Sequence, residues 1–205
     1  MKEQAQLYFI AIMLPQVIDA EIITFKKDMA ERFQSKKALR TASHITLKAP
    51  FKVAVDMRQQ LLQWFEGMKI TTAPFMQEIK DFGAFSNKRN PVIFVQPVMN
   101  ESLRHLQKEV LQHFSGAFPK ETISSNEHSF SPHITIAYRD LHYHQFKEAW
   151  EEYQTKTYSA LFEVNTFQLL QHINGRWEVV GSFLLNHSGT KLNYRDTKDK
   201  EEHRD

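Results

Sequence analysis

His133-Ile134-Thr135-Ile136 repeats the pattern of an earlier stretch, His44-Ile45-Thr46-Leu47. Each is a histidine and a threonine separated by one apolar residue and followed by another, inside a short β-type run. Side chains on a strand alternate faces, so His and Thr at i and i+2 point one way while the two apolar residues point into a core. Each motif therefore presents an imidazole beside a hydroxyl. Ten histidines and twelve threonines in 205 residues give roughly 0.6 His-x-Thr triplets by chance, and the apolar requirement cuts this to about 0.1. The two motifs are read as a functional pair.

Around them the chain reads as alternating strands and helices. Leu7 to Leu14 is apolar, is closed by Pro15, and reads as a buried central strand. From Gln16 to Gln34, Val17, Ile18, Ile22, Phe25, Met29 and Phe33 recur at helical spacing, predicting an amphipathic helix that lies against that strand. The first motif occupies Ser43 to Lys48, and Pro50 is expected to stop strand pairing. A second helix follows over Met57 to Phe65, closed near Gly67. Phe75 to Phe85 and Val92 to Val98 form a hairpin across the turn at Asn87 to Pro91. Glu101 to Phe114 is a third helix, Lys120 to Ser131 a polar loop, and Phe146, Trp150 and Tyr153 mark another helix. Ala160 to Leu170 and Arg176 to Leu185 are strands joined by a tight turn at Asn174-Gly175. The order predicts one bilobal α+β domain over residues 1–186, with lobes of about 1–90 and 91–186 that each hold a motif strand followed by a helix. Residues 187–205 are charge-dense and read as a tail.

Composition narrows the chemistry. The chain has no cysteine, which excludes disulfides, thiolate metal sites and cysteine nucleophiles. A net charge of +2 is too small for a general nucleic-acid coat, so any contact with RNA is expected at a site. The Leu7–Leu14 run is too short to span a bilayer and has no basic leader, which reads as a cytoplasmic protein without a membrane partner or an obligate protein partner.

Two opposed imidazoles can hold one proton between them, one acting as base and the other as acid in a single turnover. This suits in-line displacement at phosphorus, with the threonine hydroxyls donating to the non-bridging oxygens. Such a scheme requires no metal and no cofactor. No zinc-type His-Glu-x-x-His pattern or glycine-rich phosphate loop is present, and His142 and His144, flanking Tyr143 at a helix start, read as solvent-exposed rather than as metal ligands.

With these residues in place, the chain resembles the 2H phosphoesterase superfamily, particularly its bacterial 2′-5′ RNA ligase / 2′,3′-cyclic phosphodiesterase branch. The likeness spans residues 7 to 185. It implies two antiparallel sheets with outer helices around a central groove. It also implies metal-independent hydrolysis of a 2′,3′-cyclic phosphate on RNA ends or nucleotides, or, in some members, 2′,5′ joining of RNA. Carried over by position, His44 and His133 are the acid/base pair and Thr46 and Thr135 the phosphate-oxygen ligands, with water activation leaning to His133. Where many ligase-branch members continue Leu-Ala-Arg, this chain has Ile136-Ala137-Tyr138-Arg139. Strand parity puts Arg139 and Lys48 on the same face as the motifs, as candidate phosphate ligands. Phe130, Phe51 and Phe82 or Phe85 are candidates for stacking a base. Lys48-Ala49-Pro50-Phe51 also resembles a less characterised group of the superfamily, which leaves a small-metabolite phosphodiester open. A non-catalytic RNA- or nucleotide-binding module is the alternative of another class, and pure binding does not need two proton carriers.

Overall fold

Alternation along Ala5–Met13 sends Tyr8, Ile10 and Ile12 to one face and Phe9 and Ala11 to the other, and both sets are buried. A strand apolar on both faces belongs inside a sheet. In the computed structural model, which describes residues 5–118 and 123–186, this strand, β1, lies between β2 (His44–Ala54) and β7 (Thr166–Ile173), with β8 (Arg176–Leu184) beyond β7. The other strands are β3 (Phe75–Phe85), β4 (Val92–Pro97), β5 (Ile134–Ala137) and β6 (Ser159–Val164), which form a second four-stranded sheet in the order β5-β4-β3-β6. All pairings are antiparallel. The α+β architecture of two antiparallel sheets with outer helices is the one the family resemblance implied.

The helices are α1 (Gln16–Arg32), α2 (Arg58–Glu66), α3 (Glu101–Ala117), a short α4 (Ser125–His128) and α5 (Tyr143–Tyr153). In α3, Leu103, Leu106, Val110 and Phe114 form the buried stripe, and the Asn100 side chain caps the start by accepting from the Leu103 amide at 2.8 Å. No helix among the described residues is long and apolar enough to cross a membrane.

The two lobes are not the two halves of the sequence. The first sheet takes β1 and β2 from the first half and β7 and β8 from the second, while β3 joins the second sheet. Helix α1 packs against β5 of the second sheet rather than against β1, and α5 packs on β4, while α2 and α3 cover the first sheet at β8 and β2. One apolar core runs through both sheets. The segment read as a single strand over Ala160 to Leu170 is β6 and β7, which belong to different sheets. Buried Phe162 and Val164 are followed by buried Phe167 and Leu169, so the alternation slips by one residue, and the chain crosses between sheets at Asn165. The Asn174-Gly175 turn is as expected: both residues have positive φ, 49° and 82°, as a type I′ hairpin requires. The sequence from His187 onward, read as a tail, lies outside the described residues, as do residues 119–122.

Pro50 does not end its strand. β2 is an edge strand, so a missing N–H there costs no ladder bond. The pairing with β1 absorbs the irregularity in two register shifts, between Tyr8 and Ile10 and again between Ile10 and Ala11. Those shifts matter for the site.

Candidate active site

Both motifs are built in the same way. His44 opens β2 opposite Met13, with Thr46 opposite Ala11, and Ile45 and Leu47 are buried on the core side. His133 stands immediately before β5, Thr135 lies opposite Phe94, and Ile134 and Ile136 are buried in the shared core. All four polar side chains are half-buried. The Nδ1 of His44 donates to the carbonyl of Ala42 at 2.8 Å, and the Nδ1 of His133 donates to that of Ser131 at 2.9 Å. A carbonyl can only accept, so each ring keeps its proton on Nδ1 when neutral and leaves Nε2 to exchange a proton with a ligand.

Aromatic rings hold each imidazole. Phe9 of β1 lies 5.0 Å from His44, while Phe85 and Phe94 lie 5.2 and 5.5 Å from His133. The Phe94 ring lies over Gly83 of β3, where a Cβ would meet ring atoms at 2.4 and 2.6 Å. Gly83→Ala is therefore expected to push Phe94 off His133 and to destabilise the protein by about 1–3 kcal/mol, the usual cost of overpacking. Chemical denaturation of the variant checks this, and a midpoint equal to the wild type would refute it.

A cavity of about 350 Å³ lies beside the motifs, lined among others by His44, Thr46, Thr135, Tyr138 and Arg139. His133 is not itself on its lining, but its charge reaches His44. Burial pushes the pKa of both imidazoles down. For His44 the Ala42 carbonyl opposes this, whereas the charges of Lys26 and His133 add to it, and the value falls to about 4. For His133 the cause is burial, partly offset by the Ser131 carbonyl. Burial thus biases both rings toward the neutral form, His44 the more strongly, at about 4.

Lys26 was not singled out from the sequence. It stands on the buried stripe of α1 with Ile18, Ile22, Met29 and Ala30, is 2% exposed, and donates from Nζ to the Thr41 carbonyl at 2.9 Å. Burial lowers its pKa to about 8, with Asp19 opposing. The result is a cation held under the first motif.

The expected binding residues divide. Arg139 lines the cavity, but a turn rather than strand parity brings it there. It has φ of 58°, with the Asp140 amide donating to the Tyr138 carbonyl at 2.6 Å, a strained tight turn of the kind found at binding sites. Asp140 fixes that turn by accepting from Ser35 Oγ and from the amides of Lys36 and Lys37 at 2.9–3.0 Å. Lys48 does not face the cleft. The register shifts in β2 bring Leu47 and Lys48 both to the buried side, so the alternation that would place Lys48 beside Thr46 is broken. Lys48 is 2% exposed, packs over Phe114 at 4.6 Å, and pairs with Glu127 at 2.8 Å. Phe51 is likewise core, against Tyr8, Phe114 and Phe118. Phe130 lines a separate surface depression beside α3 and Glu127, and Phe82 is buried against Phe25 and Tyr153. Of these rings only Phe85 touches a motif residue. His142 and His144 are exposed, and among the described residues no group of three or more His, Asp or Glu could hold a metal.

A model of the family described as the 2′-5′ RNA ligase superfamily matches residues 14–176. A protein of Oceanobacillus iheyensis named as an inferred phosphoesterase, OB1230, is 27% identical over 180 residues, covering 87% of this chain and 97% of its own. Among solved structures, E. coli LigT complexed with ATP superposes with a TM-score of 0.63 at 20% identity, covering 90% of this chain and all of that one. LigT complexed with 3′-AMP gives the same TM-score, identity and coverage. A Thermus thermophilus protein, TT0787, gives 0.58 at 16% identity, over 89% of this chain and 99% of its own.

Proposed function

The chain belongs to the 2′-5′ RNA ligase superfamily, and from that premise we propose that it hydrolyses a 2′,3′-cyclic phosphate on a nucleotide or RNA end, with His44 and His133 as the acid/base pair. The observation that carries this reading is the duplicated motif geometry: two imidazoles, each tied at Nδ1 to the carbonyl two residues before it, each beside a threonine. Binding alone does not call for two such proton carriers. The complexes of LigT with ATP and 3′-AMP support a nucleotide as the ligand.

In the proposed step, water attacks phosphorus and gives a proton to one Nε2, the P–O3′ bond breaks, and the other Nε2 supplies a proton to O3′. The product carries a 2′-phosphate and a free 3′-hydroxyl. Thr46 and Thr135 donate to the non-bridging oxygens, and Arg139 offsets their charge. The family resemblance favours His133 as base, but Lys26 favours the reverse order. A cation beside His44 opposes its protonation, so His44 enters neutral, as a base must. Among the described residues no cation is set against His133 as Lys26 is against His44, and the negative charge of an arriving phosphate stabilises an imidazolium there that takes its proton from solvent. The reverse reaction, joining ends, would use the same groups, but a cavity of about 350 Å³ lies at the small end of ligand sites and favours one terminal nucleotide over two polynucleotide ends.

The test is incubation with a 2′,3′-cyclic nucleotide in EDTA and identification of the product. Adenosine 2′-phosphate is expected from the cyclic adenosine substrate. A 3′-phosphate product would overturn the scheme, as would folded protein that turns over neither cyclic mononucleotides nor RNA ending in a cyclic phosphate.

A further inference from the structure

The cleft is chemically divided. Lys26, His44 and Arg139 supply its polar end, and no carboxylate is among its lining residues. The other end is aromatic. Rings follow one another across the first sheet from the motif outward: His44 to Phe9 at 5.0 Å, Phe9 to Trp177 at 4.5 Å, and Trp177 to His172 at 5.0 Å. Phe9 meets the indole nearly edge-on, at 85°, and is itself 3% exposed, so it fixes the orientation of Trp177. His172 is paired with Trp177 across the hairpin. Trp177 is half-buried and His172 exposed, and both line the cavity that holds His44 and Thr46. On the side of the second sheet, Tyr138, directly after β5, lines the cavity with the Arg139 guanidinium 5.3 Å from its ring, whereas Phe85 and Phe94 pack on His133 and do not line the cavity.

An anion site joined to an accessible aromatic row matches a nucleotide, whose phosphate and base are separated by one sugar. We infer that Trp177, with His172 beside it and Phe9 behind it, is the nucleobase platform of this site. The assignment rests on the nucleotide reading above. It places the base on the His44 side of the phosphate. Stacking takes any base, because every base has a π-face, so the platform reads the presence of a base more than its identity.

The experiment uses the full chain and two probes, adenosine 2′-phosphate and inorganic phosphate, with binding followed by calorimetry and by intrinsic fluorescence. Stacking of one base corresponds to about a 5- to 150-fold change in affinity. Trp177→Ala is expected to weaken adenosine 2′-phosphate by that factor, to leave phosphate binding as it was, and to put most of its kinetic effect in KM, while Trp177→Phe retains most of the affinity. Should Trp177→Ala fold poorly, His172→Ala is expected to weaken the nucleotide and not phosphate. Adenosine 2′-phosphate bound by folded Trp177→Ala as tightly as by the wild type would overturn the platform, as would equal losses for nucleotide and phosphate. The hydrolase reading fails separately. A wild type that binds the nucleotide through Trp177 but opens no cyclic phosphate leaves the platform standing, whereas turnover with unaltered KM in Trp177→Ala removes the platform alone.

Discussion

Alanine at either His44 or His133 is expected to lower kcat for a 2′,3′-cyclic substrate by about 10²–10⁴-fold, the range of a positioned general acid or base. The double variant should be little worse than the weaker single one, because the two imidazoles act on one proton inventory. The roles separate with a substrate in which O3′ is replaced by sulfur. A thiolate leaves without a proton, so His133→Ala should recover much of its activity and His44→Ala should not. Recovery in His44→Ala instead would restore the order in which His133 activates water.

The same assignment fixes the pH profile. His44 must be neutral and its pKa lies at about 4, so kcat/KM rises with pH through that region. His133 must carry a proton and burial holds it below the ordinary histidine value, so kcat/KM falls again before neutral pH is passed. The bell therefore peaks on the acid side of 6.5. Lys26→Met removes a positive neighbour of His44, which raises the pKa of His44 and moves the acid limb to higher pH, narrowing the bell. A profile of Lys26→Met with its acid limb unmoved would show that Lys26 only anchors the Thr41 carbonyl.

What the sequence made legible depended on unbroken periodicity. Over three residues the alternation holds, and both His-Thr pairs were readable. At Lys48 it fails, because a β-bulge leaves no compositional trace and Leu47-Lys48 looks like any strand. Lys26 was readable in principle: it is in phase with Ile18 and Ile22 on the buried stripe, while Val17, counted as apolar face, is 73% exposed. A lysine in a helix is ordinarily assigned to solvent, and only its phase argued otherwise. Trp177 was also within reach, since a two-residue turn at Asn174-Gly175 places Ile173 opposite Arg176 and His172 opposite Trp177. The partition of strands between sheets was not, because β6 and β7 carry the same kind of apolar residues, and which sheet each joins is decided by long-range packing.

The misread lysine has the larger consequence for stability. Lys48 follows the first motif and Glu127 precedes the second, and their side chains are 2% and 9% exposed. Glu127 accepts from Lys48 Nζ and the Ala49 amide through one oxygen, and from the amide and hydroxyl of Ser124 through the other, and these bonds hold its pKa down against burial. Asp140 does the converse, tying the segment after the second motif to the segment before the first. Each motif is thus held from the side of the other. Removing one partner of a buried pair leaves an uncompensated charge, which costs about 3–5 kcal/mol. Lys48→Met is expected to lower Tm by about 6–20 °C at 2–4 °C per kcal/mol for a chain of this size. Lys48→Met with Glu127→Gln should regain part of that loss, because no charge is then buried alone, though the neutral amide must still serve Ala49 and Ser124. The coupling energy from this double-mutant cycle is the measurement that decides: additive losses would mean that Lys48 and Glu127 stabilise separately, through the rings under the ammonium and the cap on α4, and that the two motifs are not clamped through this pair.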